Sequence, residues 1–361
     1  MKILVYSDYQ KLNHSVRPEL EIFLRLAKRG HQLTVCSPAF DDRDIFQQAG
    51  IETVATGQKK KISPHAIRVL RQQLKAHHHE IVYATSSRTI PTAAFACIGQ
   101  PAKLVCYRGT TRGLKRRDPT SFLTVLHPRV DAVVCVSGSV EQAVQKKLLN
   151  KRCQTTTIFK GHDLSWYTQT PADLSEFGIT GDAFVAIAAA RFRPSKGLDV
   201  LLEATQKLAD LDKLHLLVVG SGADEPRYSQ LCASSPMQQR IHCTGYRPDA
   251  PSLIAASDIL VQASVDGEGL PRSILEGLAY GVPAISTTAG GAREILQEGR
   301  TGFIVPIRNP QAIADKLRAV YQQREQLAAM SSYCKQAIEG PLSCDASVLA
   351  YEKFFEQLAA Q

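Results

Sequence analysis

The chain alternates short apolar runs with stretches in which apolar residues recur every three or four positions. Residues 2–7 (KILVYS) read as a buried strand. From Val16 onward Leu20, Phe23, Leu24 and Ala27 fall on one helical face, and Arg29-Gly30 closes that helix. Further strands are predicted at 31–37, 81–84, 103–107 and 132–137. Strands separated by helical stretches of this length mean βαβ units and a parallel sheet. Between about 160 and 179 the pattern dissolves into Asp, Thr, Gln and Pro, which predicts an interdomain linker. A second series then begins. Strands are predicted at 184–190, 214–219, 240–244, 259–263, 283–286 and 303–305, with a helix over 198–208. The expectation is an α/β chain of two doubly wound, Rossmann-like domains facing a central cleft, where ligands of such sheets bind. A length of 361 residues suits two domains rather than one. The boundaries predicted are 1–165, 166–344 and a C-terminal helix, 345–361, packing back on the first domain.

Composition removes several classes. A hydrophobic fraction of 44% with 21% charged residues describes a core-forming chain rather than a disordered one. No apolar run reaches the roughly 18–20 residues that span a bilayer. The opening Met1–Asp8 reads as a strand, not a signal peptide. The nine cysteines include no C-x-x-C pair and no zinc-finger spacing, so they are expected as buried, reduced thiols. His77-His78-His79 is expected as a solvated helix end rather than a metal site.

Charge changes the picture more. Residues 1–165 hold 26 basic and 12 acidic side chains, net +14, whereas the remainder is net −5. Lys59-Lys60-Lys61, then Arg68, Arg71 and Lys75 on a helix starting at Ser63, and Lys115-Arg116-Arg117 form clusters. Such asymmetry points to an anionic partner for the first domain. No nucleic-acid module accompanies it, so an anionic membrane surface or a lipid-linked acceptor is expected rather than nucleic acid. The predicted location is cytoplasmic, peripheral on the inner face of the cytoplasmic membrane.

The first βα turn, residues 7–15, contains no glycine and cannot form the G-x-G-x-x-G turn of a nicotinamide or flavin site. Gly220-Ser221-Gly222 has only two of those three glycines. The segment from Asp266 to Pro283 (DGEGLPRSILEGLAYGVP) is more informative. Gly267 and Gly269 frame a turn, Pro271 suits a first helical turn, Glu268 precedes the helix and Glu276 lies in it. Eight helical residues span about 12 Å, the reach of a sugar, a diphosphate and a ribose laid end to end. Backbone amides at the helix start make an anion site, and Glu276 can accept from both ribose hydroxyls. Arg191 and Lys196 sit on a strand-to-helix loop, where a planar fork and a point charge could neutralise a departing diphosphate.

Together, the Glu268/Glu276 pair, the Arg191…Lys196-Gly197 loop and Gly290-Gly291…Glu294 resemble the family 4 retaining glycosyltransferases of GT-B fold, over the whole second half and in the expected order. The resemblance implies a nucleotide-diphospho-sugar as donor substrate, no cofactor and no obligatory metal. It implies that Arg191 and Lys196 hold the diphosphate, and that Glu276 holds the ribose. Glu268, Gly269, Leu270 and Pro271 would lie along the sugar and phosphates, with Tyr246 and Arg247 on the nucleobase side. Arg191, Lys196 and Glu268 are the catalytic candidates. The first half departs from the family pattern: it has Cys106-Tyr107-Arg108-Gly109-Thr110 and Lys160-Gly161-His162-Asp163 where many relatives carry histidine- and asparagine-containing motifs. Arg108, Thr110 and Arg112 are its acceptor-side candidates. The expected activity is hexosyl transfer to a cell-envelope glycan or lipid-linked acceptor, in lipopolysaccharide or polysaccharide biosynthesis. A sugar-nucleotide-binding protein without catalysis and a GT-B epimerase are the alternatives.

Overall fold

The computed structural model describes residues 1–10, 16–57 and 60–361. Lys59 and residues 11–15 of the first βα turn therefore lie outside the described residues. The chain divides into two compact units, Met1–Gly161 with Cys344–Gln361, and His162–Ser343.

The first unit holds seven parallel strands: β1 (Lys2–Tyr6), β2 (Gln32–Ser37), β3 (Glu52–Ala55), β4 (Ile81–Ala84), β5 (Lys103–Arg108), β6 (Ala132–Cys135) and β7 (Gln154–Thr157). Their order is β3-β2-β1-β4-β5-β6-β7, so the winding reverses between β1 and β4. Central strands such as Ile81–Ala84 are buried throughout, as strands covered on both faces must be. The two edge strands, β3 and β7, contain no buried residue, and their mixed polar sequences carry no apolar run for the sequence reading to find. The C-terminal helix Cys344–Ala359 belongs to this unit. It lies against helix Arg17–Lys28, with Tyr351, Phe355 and Leu358 in the core and the Tyr83 and Tyr351 hydroxyls 2.9 Å apart. At its rim Arg25 pairs with Asp345 at 2.6 Å, and Glu352 takes both Arg29 and His31 at 2.7 Å. Glu356 adds a third ligand-type group beside His31 and Glu352. With Arg29 in it, this cluster is an ion-pair staple between the helices.

Two features of the first unit correct the sequence reading. His79 is not solvated: it is 5% exposed, its Nε2 lies 3.0 Å from Thr34 Oγ1, and burial holds its pKa down at about 4. Arg71 does not extend the basic surface. It is half-buried and donates to the carbonyls of Phe95, Ala96 and Ile98, closing the end of helix Thr89–Cys97. Lys60, Lys61, Arg68, Lys75, Lys115, Arg116 and Arg117 are exposed. The helix that carries Arg68 and Lys75, Pro64–His77, is capped by Ser63, which accepts from the Ala66 amide at 3.3 Å.

The second unit holds six parallel strands: β8 (Phe184–Ala189), β9 (Leu214–Val219), β10 (Ile241–Gly245), β11 (Ile259–Gln262), β12 (Ala284–Thr287) and β13 (Gly302–Val305). The order β10-β9-β8-β11-β12-β13 places the reversal between β8 and β11. Ligands of doubly wound sheets bind beyond the carboxyl ends of the strands at such a reversal.

Candidate functional site

A cavity of about 470 Å³ opens at that reversal in the second unit. Its walls come from the ends of β8, β9 and β11, the segment after β10, and the start of helix Arg272–Tyr280. The volume suits a ligand of nucleotide size.

Lys196 and Glu268 are brought together by backbone that excludes side chains. Gly197 has φ +63°, and a Cβ there would stand 2.0 Å from the Ala263 carbonyl oxygen. That close approach, with the Val265 amide donating to the Ser195 carbonyl at 2.9 Å, locks the Lys196 loop onto the end of β11. On the other side Gly290, at φ +76°, lies under Glu268, whose backbone oxygen would be 2.5 Å from an added Cβ. Lys196 Nζ then sits 2.5 Å from Glu268 Oε1. Ser264 donates to the same oxygen at 2.9 Å, Gln262 donates to Ser264 at 3.3 Å, and Ser273 donates to Gln262 at 3.2 Å. This buried relay fixes the Glu268 carboxylate.

Glu276 lies one turn into the helix, half-buried, with Arg272 Nε 3.1 Å from its Oε1. Burial pushes the Glu276 carboxyl above its ordinary range, and the Arg272 charge offsets part of that rise. The helix begins at Arg272, with Pro271 as its N-cap residue. Glu268 therefore precedes the helix, as expected, and Glu276 lies within it; residues 268–271 form the approach loop, so the 268–276 span is helical only from Arg272 onward. The first-turn amides have no intrahelical acceptor, and Leu270, Arg272 and Ser273 line the cavity beside them, so the helix start presents partial positive charge to it.

Arg191, Lys196, Glu268, Leu270, Glu276, Tyr246 and Arg247 all line the cavity, whereas Gly269 and Pro271 do not. The Gly269 carbonyl instead accepts from the Gly291 amide at 2.9 Å. Arg191 is exposed on its loop, with Arg193 beside it, and Tyr246 is 74% exposed at the rim. Arg247 is committed to protein carboxylates: it holds Asp249 through two bonds of 2.7 and 2.8 Å and Glu176 at 2.8 Å. Arg247 thus lines the cavity while its ion pairs anchor the loop that carries Tyr246.

Sequence reasoning missed Arg193, Gln262, Ser264, Arg272 and Ser273. Arg272 had a signal, since it stands four residues before Glu276 on one helix face. Gln262 and Ser264 stand close to Glu268 in the chain but follow no helical or strand period that would mark them, and Ser273 reaches Gln262 from 11 positions away.

In the first unit Arg108 ends β5, and its guanidinium donates to the carbonyls of Thr110, at 2.9 Å, and Arg112. Thr110 Oγ1 accepts from the Arg112 amide at 3.2 Å. The three acceptor-side candidates thus form one self-bonded loop. Below it lies a buried cluster the sequence did not suggest. Lys160 Nζ pairs with Glu19 Oε2 at 2.8 Å and sits 4.0 Å from the Tyr107 ring centroid, while Ser7 donates to Glu19 Oε1 at 2.6 Å.

Residues 20–166 match the sequence family described as Glycosyltransferase Family 4, and residues 169–337 match that described as Glycosyl transferases group 1. Among similar proteins is the N-acetyl-alpha-D-glucosaminyl L-malate synthase of Bacillus anthracis, 22% identical over 349 residues, covering 93% of this chain and 91% of that protein. Another is the lipopolysaccharide core biosynthesis glycosyltransferase LpsE of Rhizobium meliloti, 24% identical over 221 residues, covering 61% of this chain and 63% of that protein. The Anabaena HepE structure in complex with UDP superposes with a TM-score of 0.77 at 20% identity, covering 99% of this chain and 100% of that one.

Proposed function

This chain belongs to glycosyltransferase family 4 and has the GT-B fold, and from that premise we propose a metal-independent enzyme that transfers a hexose, with retention of configuration, from a nucleoside-diphospho-sugar to a cell-envelope glycan or lipid-linked acceptor. The observation that carries this reading is the convergence of Arg191, Lys196, Glu268 and Glu276 on one cavity at the β8/β11 reversal. The UDP complex of HepE supports beginning with uridine donors, and the name of LpsE supports an envelope glycan as acceptor.

In this reading Glu276 accepts from the ribose hydroxyls, and the amides of Arg272 and Ser273 meet the phosphates. Lys196 and Arg191 hold the charge that grows on the leaving diphosphate, supplying from side chains what a divalent cation would otherwise supply. Glu268, fixed by Ser264, faces the sugar. The acceptor oxygen bonds to the anomeric carbon on the face from which the diphosphate departs, and a phosphate oxygen takes the acceptor proton. The excess positive charge of residues 1–165 favours an anionic membrane or lipid-linked acceptor. Among the described residues no helix is long and apolar enough to cross a membrane.

The test is turnover of a panel of nucleotide sugars in EDTA, with and without envelope glycan fractions, and NMR of the product. Acceptor-dependent release of nucleoside diphosphate, with the anomeric configuration of the donor kept, supports the reading. Inversion, or turnover that needs Mg²⁺ or Mn²⁺, overturns it.

A further inference from the structure

Seven of the nine cysteines are buried; the two that are partly exposed, Cys232 and Cys243, are also in contact, with Sγ atoms 3.3 Å apart. Cys232 lies on helix Pro226–Ser234, and Cys243 lies on β10, the edge strand of the second unit's sheet. We propose that this pair is an oxidisable dithiol, which a peroxide converts to an intramolecular disulfide tying the helix to the edge strand.

Accessibility and proximity coincide only here. A disulfide needs its sulfurs at about 2 Å, so the pair must close by roughly 1 Å. The two thiols are also chemically distinct. The contact with Cys243 lowers the Cys232 thiol below its ordinary range, while Cys243 is raised by the same contact and by burial. Burial pushes Cys97, Cys135, Cys153 and Cys334 up to about 12, which leaves them protonated and unreactive.

The chemistry balances without help from another site. Cys232 gives up its proton, the thiolate attacks one peroxide oxygen, the O–O bond breaks, and the displaced hydroxide takes up a proton and leaves as water, giving a sulfenic acid. The Cys243 sulfur then attacks the Cys232 sulfur, the S–O bond breaks and a second water departs. Two thiols lose two electrons and hydrogen peroxide gains them. The new bond would sit two residues before Gly245, whose carbonyl accepts from the Gly220 amide at 2.7 Å, and three before Tyr246 at the cavity rim.

The folded full-length chain, treated with hydrogen peroxide, alkylated and digested without reduction, should yield a peptide cross-linked through Cys232 and Cys243. Its accessible thiol count should fall by two and recover with dithiothreitol. In Cys243→Ser, oxidation should stop at the sulfenic acid, trapped on Cys232 by a 1,3-diketone that labels the wild type several-fold less. Absence of the cross-linked peptide from the wild-type digest overturns the proposal, whether or not the variants fold. Equal trapping in wild type and Cys243→Ser overturns it as well.

Discussion

Lys196 and Glu268, separated by 72 positions in the chain, share a 2.5 Å ion pair to which Ser264 adds a second bond on the same carboxylate oxygen. The pair presents one cation and one anion at a fixed separation at the cavity wall. In the proposed reaction a diphosphate entering the cavity would meet a lysine already held in place, so little ordering would remain when charge develops.

Lys196→Ala should therefore act on the chemical step. We expect kcat to fall by roughly 10²–10³, with a smaller change in donor KM, since leaving-group charge is greatest in the transition state. Steady-state kinetics with the preferred donor check this. A rate within a few-fold of wild type would remove Lys196 from the mechanism.

Lys160 and Glu19 should matter for stability rather than for turnover at the second unit's cavity. Removing the cation in Lys160→Met leaves a buried carboxylate with Ser7 and Tyr9 but without its counter-charge. A loss of about 3 kcal/mol is expected from breaking such a pair. The double variant with Glu19→Gln should recover part of it, because no buried charge then remains. Denaturant unfolding of the three variants measures both effects, and additive losses would contradict the pairing.

Acid should weaken both units through histidines. His79, in the first unit, and His162, in the second, are buried, and each pKa is lowered to about 4, by burial first in both. Unfolded histidine titrates near 6.5, so between that value and 4 the unfolded chain binds protons that the folded chain does not. Stability is then complete above about pH 6.5 and is lost as the pH falls toward 4, on the order of 2 kcal/mol for each histidine. The slope of unfolding free energy between pH 6.5 and 5 should flatten in His79→Gln and in His162→Gln. Unchanged slopes in both variants would show that carboxylates alone set the acid limit.

The basic surface of the first unit predicts salt-sensitive membrane binding. Each lysine or arginine near an anionic bilayer contributes about 1 kcal/mol, and Lys60, Lys61, Arg68, Lys75 and Lys115–Arg117 are exposed. Co-sedimentation should rise with the anionic lipid content of vesicles, fall with salt, and weaken in a variant with glutamine at 60, 61, 68 and 75. Equal partitioning to neutral and anionic vesicles would leave the charge as a solvated face.

Much of this architecture could be read from periodicity, because central strands buried on both faces are continuous apolar runs. β3 and β7 escaped because an edge strand with solvent beside it needs no such run. In the cavity of the second unit, Glu268 and Glu276 announce themselves through a glycine-framed turn and a helical spacing within nine residues. Lys196 stands on a loop that only Gly197 allows against Ala263. Ser264 and Gln262 lie in a chain segment that reads as the tail of a strand, and their role appears only when Glu268 folds back over them. Arg247 illustrates the converse: its place beside the cavity was legible, but its commitment to Glu176, 71 residues away, was not. The same holds for Lys160 with Glu19 and for Cys232 with Cys243, pairings that no local pattern encodes.

The central claim is that the second unit binds a nucleoside diphosphate through Glu276 and cationic side chains, without a metal. Calorimetric titration of UDP into the full-length chain in excess EDTA tests it most directly, with Glu276→Ala run alongside. The account predicts saturable one-site binding to the wild type and an affinity at least about tenfold weaker in Glu276→Ala, the loss expected for charge-assisted hydrogen bonds to a ribose. Binding that appears only when Mg²⁺ or Mn²⁺ is restored, or equal affinity in the two proteins, would contradict it.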